Sequence, residues 1–126
     1  MAHYTGIDII EIARIKKAIA RWGEAFLHRV YTDSELRLYC KSPSSLAARF
    51  AGKEAVMKLL GTGRNGVKWR EIEILSHQSG KPLVNLCGGA QSEAKKLGVK
   101  EIAVSLSHSR EYAIASVVGV SEANRS

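Results

Sequence analysis

Gly61-Thr62-Gly63-Arg64-Asn65-Gly66 reads GxGxxG letter for letter, the spacing of a dinucleotide-binding loop. Such a loop works between a strand that precedes it and a helix whose N-terminus receives a pyrophosphate. Here the order is reversed. Upstream, Leu46, Phe50, Val56 or Met57, and Leu60 recur at helical steps, the inward stripe of a long helix that Ser44 or Ser45 can cap. Downstream, Trp69 to Ser76 alternates apolar and polar residues as a half-buried strand does. Helix, loop, strand excludes the dinucleotide fold. The glycines either stop the helix and turn the chain, or form a loop that touches phosphate.

Working outward, residues 3 to 10 are rich in β-branched side chains and suit a buried strand. Ile12, Ile15, Ile19 and Trp22 then recur at helical spacing up to Gly23, and residues 25 to 30 suit a short helix. Thr32-Asp33-Ser34-Glu35 is a capping box that opens a helix to about Lys41, ended by Ser42-Pro43. Beyond the loop, Ser79-Gly80 turns the 69–76 strand into a hairpin with residues 83 to 87. A helix over 89–97 stops at Gly98, and strands over 101–107 and 111–120 flank the tight His108-Ser109-Arg110 segment. Helices early and strands late predict an α+β fold, a mainly antiparallel sheet packed with a long central helix. One domain is expected over residues 1–120, with a frayed polar tail over 121–126.

A chain of 126 residues buries a core of modest size, so a cofactor-sized site is expected to draw on a subunit interface. Nineteen Lys and Arg against twelve Asp and Glu give +7, which favours nucleic acid, a polyphosphate cofactor or an acidic protein as partner. The few aromatics speak against nucleic acid. No apolar run is long enough to span a bilayer, so no membrane is expected. Cys40 and Cys87 lack metal or redox spacing and read as free thiols of a cytoplasmic protein.

Asp8 interrupts the apolar Gly6-Ile7-Asp8-Ile9-Ile10. A carboxylate there needs a partner, or else caps the next helix. Glu54 and Lys58 have the i,i+4 order of a surface ion pair. The small residues around them, Ala47, Ala48, Ala51, Gly52 and Ala55, would let something large approach. His108 between Ser107 and Ser109 suits an anion's oxygens or an ordinary exposed turn. Arg14, Lys17 and Arg21 share a helix face that is either solvated or docks an acidic protein.

Three ordered segments then join these residues. Gly6-Ile7-Asp8-Ile9-Ile10-Glu11-Ile12-Ala13-Arg14-Ile15 resembles the opening motif of the holo-acyl-carrier-protein synthases. Ala48-Arg49-Phe50-Ala51-Gly52-Lys53-Glu54-Ala55 through Lys58, then Gly61-Thr62-Gly63, resembles their central motif. Ser105-Leu106-Ser107-His108-Ser109-Arg110-Glu111-Tyr112-Ala113 resembles their C-terminal one. Gly52 replaces the Ala or Val of many relatives, and the loop from Gly63 to Gly66 is shorter than in many of them.

The resemblance implies a 4′-phosphopantetheinyl transferase-like fold and a Mg²⁺-dependent transfer of phosphopantetheine. The donor would be coenzyme A, the acceptor a serine of apo acyl carrier protein, and the by-product adenosine 3′,5′-bisphosphate. The step would serve fatty acid biosynthesis, in a homotrimer with active sites between subunits. On the same ground Asp8 and Glu54 would hold the metal, and Lys58 would reach the phosphates and the leaving group. Arg49, Lys53, Gly63, Lys81, Pro82 and His108 would contact the nucleotide, and Arg14 and Arg21 the carrier. Glu54, a metal-bound water and another carboxylate are the candidates for removing the serine proton.

Overall fold

A computed structural model describes residues 2–63 and 65–121. Strand β1, Ala2–Glu11, runs into helix α1, Ile12–Trp22, which ends at Gly23 with φ 57°. Two short helices follow, α2 over Glu24–Val30 and α3 over Asp33–Tyr39, and then the long α4, Pro43–Leu60. A 3₁₀ turn, Trp69–Glu71, precedes β2, Ile72–Ser76, and β3, Pro82–Leu86. Helix α5, Gly88–Leu97, leads to β4, Val99–His108, and β5, Tyr112–Ser121.

All strand pairing is antiparallel among the described residues, in a three-stranded sheet ordered β1-β5-β4 and a two-stranded sheet of β2 and β3. The chain's first strand therefore lies beside its last, with Ala2 opposite Ser121. The α+β expectation is met, and α4 is its centre. Twelve of its eighteen residues are buried, so it is enclosed on most sides rather than laid on a surface.

The small residues of α4 admit the protein's own sheet. Ala47, Ala48, Ala51 and Ala55 are buried, and a Cβ on Gly52 would strike Ile74. From the other side, a Cβ on Gly6 would collide with the Ala55 carbonyl, so β1 crosses the helix at backbone contact. The ligand-sized gap expected along this stripe is filled by β1, β2 and β5.

Several boundaries differ from the sequence reading. Helix α4 is capped by Ser42, whose hydroxyl accepts from Ser45 N–H at 3.3 Å, with Pro43 at its first position. Residues 69–71 form a 3₁₀ turn because Glu71 N–H bonds back to the Lys68 carbonyl. Trp22 points away from the core at 58% exposure, with the Arg21 guanidinium over its ring. Ser121, expected in the frayed tail, belongs instead to β5, and the rest of that expected tail, 122–126, lies outside the described residues.

Candidate active site

Asp8 follows Gly6 on the face of β1 that meets α4, since alternate strand residues share a face. The N-cap of α1 is Glu11, so Asp8 does not cap that helix. Instead its Oδ1 accepts from Lys58 Nζ at 2.9 Å, and the same ammonium donates to the Ile7 carbonyl at 3.0 Å. Asp8 is 17% exposed and Lys58 57%, so a solvent-side cation sits on a partly sheltered carboxylate. Glu54, partly buried, stands one helical turn before Lys58 on the same side of α4. Asp8 and Lys58, fifty residues apart in sequence, thus form one charged centre on which the turn of Glu54 borders.

Lys53 has a different place, and the expectation that it contacts a nucleotide is corrected. Its side chain is 0% exposed. The ammonium donates to Glu35 Oε1 at 2.8 Å, to the Trp69 carbonyl at 3.2 Å and to the Ile72 carbonyl. Three acceptors use up its three protons. Burial pulls its pKa below the ordinary 10.5, and Glu35 pulls it back. Glu35, also fully buried, accepts from Thr32 N–H and Ile74 N–H as well. Tyr31 packs beside the pair, its hydroxyl donating to the Leu46 carbonyl at 2.7 Å and pushed to a higher pKa by burial. This network joins α3, α4, the 3₁₀ turn and β2 as a structural unit.

Arg49 lies over the Tyr39 ring, its guanidinium carbon 3.7 Å from the centroid. It donates to the Ile74 carbonyl at 3.2 Å and Ser76 Oγ at 3.0 Å, and so braces β2 along the half that leads into the hairpin turn. At that hairpin's tip, Gly80 (φ 91°) leads into Lys81 and Pro82. Lys81 and Pro82 line a cleft of about 820 Å³ between β3, β4 and α5, with Asn85, Lys95 and Lys100.

His108 ends β4, exposed and opposite Ala113, which in turn lies opposite Ile10. Directly paired residues share a sheet face, so His108 is on the Asp8 side. Strand order decides the larger arrangement. β1 with Asp8 and β4 with the cleft are opposite edges of the three-stranded sheet. Within one chain, the charged centre and the Lys81–Pro82 cleft therefore stand apart. Arg14 and Arg21 are exposed on α1, and Gly63 (φ 57°) lies in the loop after α4.

Glu71 was missed by the sequence reading. Its Oε1 accepts from Lys68 N–H at 2.9 Å. That bond, with others from Gly89 and Ala90 N–H, holds its carboxyl below the ordinary 4.5. It therefore supplies an acceptor at the start of α5, where Cys87 gives no side-chain cap. The pair of glycines at 88–89 was the available signal, since a Cβ on Gly88 would overlap the Glu71 carboxylate.

Known proteins are similar to this chain in sequence and in fold. The family model of the 4′-phosphopantetheinyl transferase superfamily matches residues 4–117. The holo-acyl-carrier-protein synthase of Dehalococcoides mccartyi is 56% identical over 115 residues, 91% of this chain and 96% of that one. The synthase of Herpetosiphon aurantiacus is 50% identical over 123 residues, 92% and 97% of the two chains. The crystal structure of Helicobacter pylori holo-acyl-carrier-protein synthase in complex with coenzyme A superposes with a TM-score of 0.84. It is 34% identical, over 92% of this chain and 99% of that one.

Proposed function

Because this chain belongs to the 4′-phosphopantetheinyl transferase superfamily, in its holo-acyl-carrier-protein synthase branch, we propose that it modifies an acyl carrier protein. It moves 4′-phosphopantetheine from coenzyme A to a carrier serine, with Mg²⁺ bound, in the cytoplasm and for fatty acid biosynthesis. The observation that carries the reading is the Lys58–Asp8 contact at 2.9 Å, with Glu54 one turn away on α4.

The donor set fits Mg²⁺, which takes one or two carboxylates and fills its shell with water and phosphate oxygens. Asp8 already faces a cation in Lys58 Nζ. Among the described residues no three His, Cys, Asp or Glu gather as a protein-only cage, consistent with an ion shared with substrate. Asp8 and Glu54 would hold it, and when bound it supplies charge neutralisation on the pyrophosphate.

The serine oxygen attacks the phosphorus that carries pantetheine. The bond from that phosphorus to the 5′-phosphate oxygen breaks, and adenosine 3′,5′-bisphosphate leaves with the negative charge. Lys58, exposed and tethered only at Asp8 and Ile7, turns its ammonium to that oxygen. The serine proton leaves to a base, for which Glu54 is the candidate carboxylate on α4. His108, Lys81 and Pro82, with Gly63 and Arg49, hold the nucleotide and its 3′-phosphate. Arg14 and Arg21 face the acidic carrier.

Two observations support a trimer with shared sites. The outer face of the large sheet exposes Ile7, Ile9, Ile114 and Val118, an apolar surface suited to burial against other copies. The metal-ligand candidate Asp8 and the cleft lie at opposite sheet edges, so one chain's β1 edge can complete a neighbour's β4 edge.

Incubation with coenzyme A, Mg²⁺ and apo carrier protein should add the phosphopantetheine mass to the carrier. No gain with several carriers would sink the proposal. Asp8→Ala and Glu54→Ala should each abolish transfer in a folded protein, and metal-dependent activity in either would overturn the site. Mixing Asp8→Ala chains with His108→Ala chains should restore part of the activity, and no recovery would count against shared sites.

A further inference from the structure

The loop after α4 has three glycines with positive φ, Gly61 at 78°, Gly63 at 57° and Gly66 at 76°. Backbone of this kind has many conformations open to it, so one shape must be imposed from outside. Upstream, the loop is anchored by buried Leu60, and internally Asn65 N–H bonds the Thr62 carbonyl at 3.1 Å. Downstream, its fastening is buried Val67 and then Glu71.

Glu71 is bound on two sides. Its carboxylate accepts from Lys68 N–H at 2.9 Å, at the loop's exit, and from Gly89 and Ala90 N–H in the first turn of α5. Its own carbonyl accepts from Cys87 N–H at 3.0 Å. A Cβ on Gly89 would strike the Gly66 carbonyl, so loop and helix touch backbone to backbone at this clasp. Helix α5 also supplies Gln91 and Lys95 to the cleft that Lys81 and Pro82 line. One carboxylate thus ties the Gly63 loop to a wall of that cleft.

We propose that Glu71 is a positioning residue for the nucleotide half of coenzyme A, holding the 66–68 stretch after α4 and helix α5 in the one relative placement that both need to grip it. The inference rests on the reading of this chain as a coenzyme A-dependent transferase. Glu71 belongs to the nucleotide side and not to the Asp8–Lys58 centre, so its loss acts on binding rather than on transfer.

The test compares wild type, Glu71→Ala and Glu71→Gln in two measurements. In steady-state kinetics, Glu71→Ala should raise KM for coenzyme A roughly ten- to a hundredfold, the scale on which misplaced binding groups act. KM for carrier and kcat at saturating coenzyme A should hold, and Glu71→Gln, which keeps an acceptor oxygen, should recover most of the loss. By calorimetry, Glu71→Ala should weaken adenosine 3′,5′-bisphosphate and leave 4′-phosphopantetheine unchanged. If wild type binds coenzyme A and the folded Glu71→Ala binds it equally well, the positioning role is overturned while the transferase reading stands. A fall in kcat with unchanged KM for coenzyme A, or no rescue by Gln, also overturns it. If wild type neither binds coenzyme A nor transfers, the transferase reading itself fails.

Discussion

Helix α4 carries two lysines, five residues apart in its sequence, whose ion pairs are alike in length and unlike in everything else. Lys53 meets Glu35 at 2.8 Å with both side chains at 0% exposure, and Lys58 meets Asp8 at 2.9 Å with exposures of 57% and 17%. Around Lys53 the carbonyls of Trp69 and Ile72 complete the ammonium's set, and burial leaves no open side from which solvent could replace any of them. Lys58 has the Ile7 carbonyl as its other partner and solvent on its open side. A charge that cannot trade partners is part of the scaffold; one that can is available to a substrate. Distance alone does not separate the two, and desolvation does.

Removing a partner tests the contrast most severely at Lys53. Lys53→Ala should lower unfolding stability by about 3–5 kcal/mol, because Glu35 is left charged and buried. Urea denaturation measures it. Replacing both partners, Glu35→Leu with Lys53→Met, should recover most of that loss, since no lone charge then remains. If the single and double variants are equally unstable, packing and not charge holds this region. At Lys58 the effect should appear in catalysis. Lys58→Ala should change stability by less than about 1 kcal/mol, as exposed pairs do. Its transfer rate at saturating coenzyme A should fall roughly 10²- to 10³-fold, the scale of losing one transition-state donor. A Lys58→Ala enzyme with normal kcat, measured by carrier mass gain, would erase the distinction.

Local signals in the sequence carried most of the fold. The Thr32–Glu35 capping box forms as read, with Glu35 N–H on Thr32 Oγ1 at 3.2 Å and Thr32 N–H on Glu35 Oε1 at 2.8 Å. Gly23, Gly61 and Gly98 each end a helix with positive φ, as their positions suggested. The errors arose at element ends and where long-range contact overrode the local pattern. Pro43 reads as a breaker but starts α4, where its missing N–H has no use. The alternation of 69–76 suggests a strand throughout, yet the Trp69 and Ile72 carbonyls are taken by Lys53. In the site, Asp8 was legible because an acid in an apolar strand is conspicuous. Lys53 was not, because its place is set by Glu35, eighteen residues away, and the capping box had already explained Glu35 locally. Glu71 was hidden for a similar reason: two of the three backbone N–H groups it binds come from a helix that starts seventeen residues later.

Glu71 completes the contrast with a charge whose hydrogen-bond partners are backbone N–H groups. Its folded carboxyl lies below the ordinary 4.5, because Lys68, Gly89 and Ala90 N–H groups favour the ionised form. The folded state therefore binds fewer protons there than the unfolded chain as pH falls toward 4.5. The stabilisation it gives is fully present above that value and is lost as pH drops through the lower, folded one. Partial exposure lets solvent screen the carboxylate, so this is the smallest of the three effects. Wild type should be more stable than Glu71→Gln near neutral pH, and the gap should close on acidification, as read from denaturation midpoints along a pH series. A gap that persists unchanged into acid would assign Glu71 a packing role with no contribution from its charge. The clasp between loop and α5 would then belong with Lys53, as scaffold indifferent to titration, and the calorimetric split between the two halves of coenzyme A would have to come from shape alone.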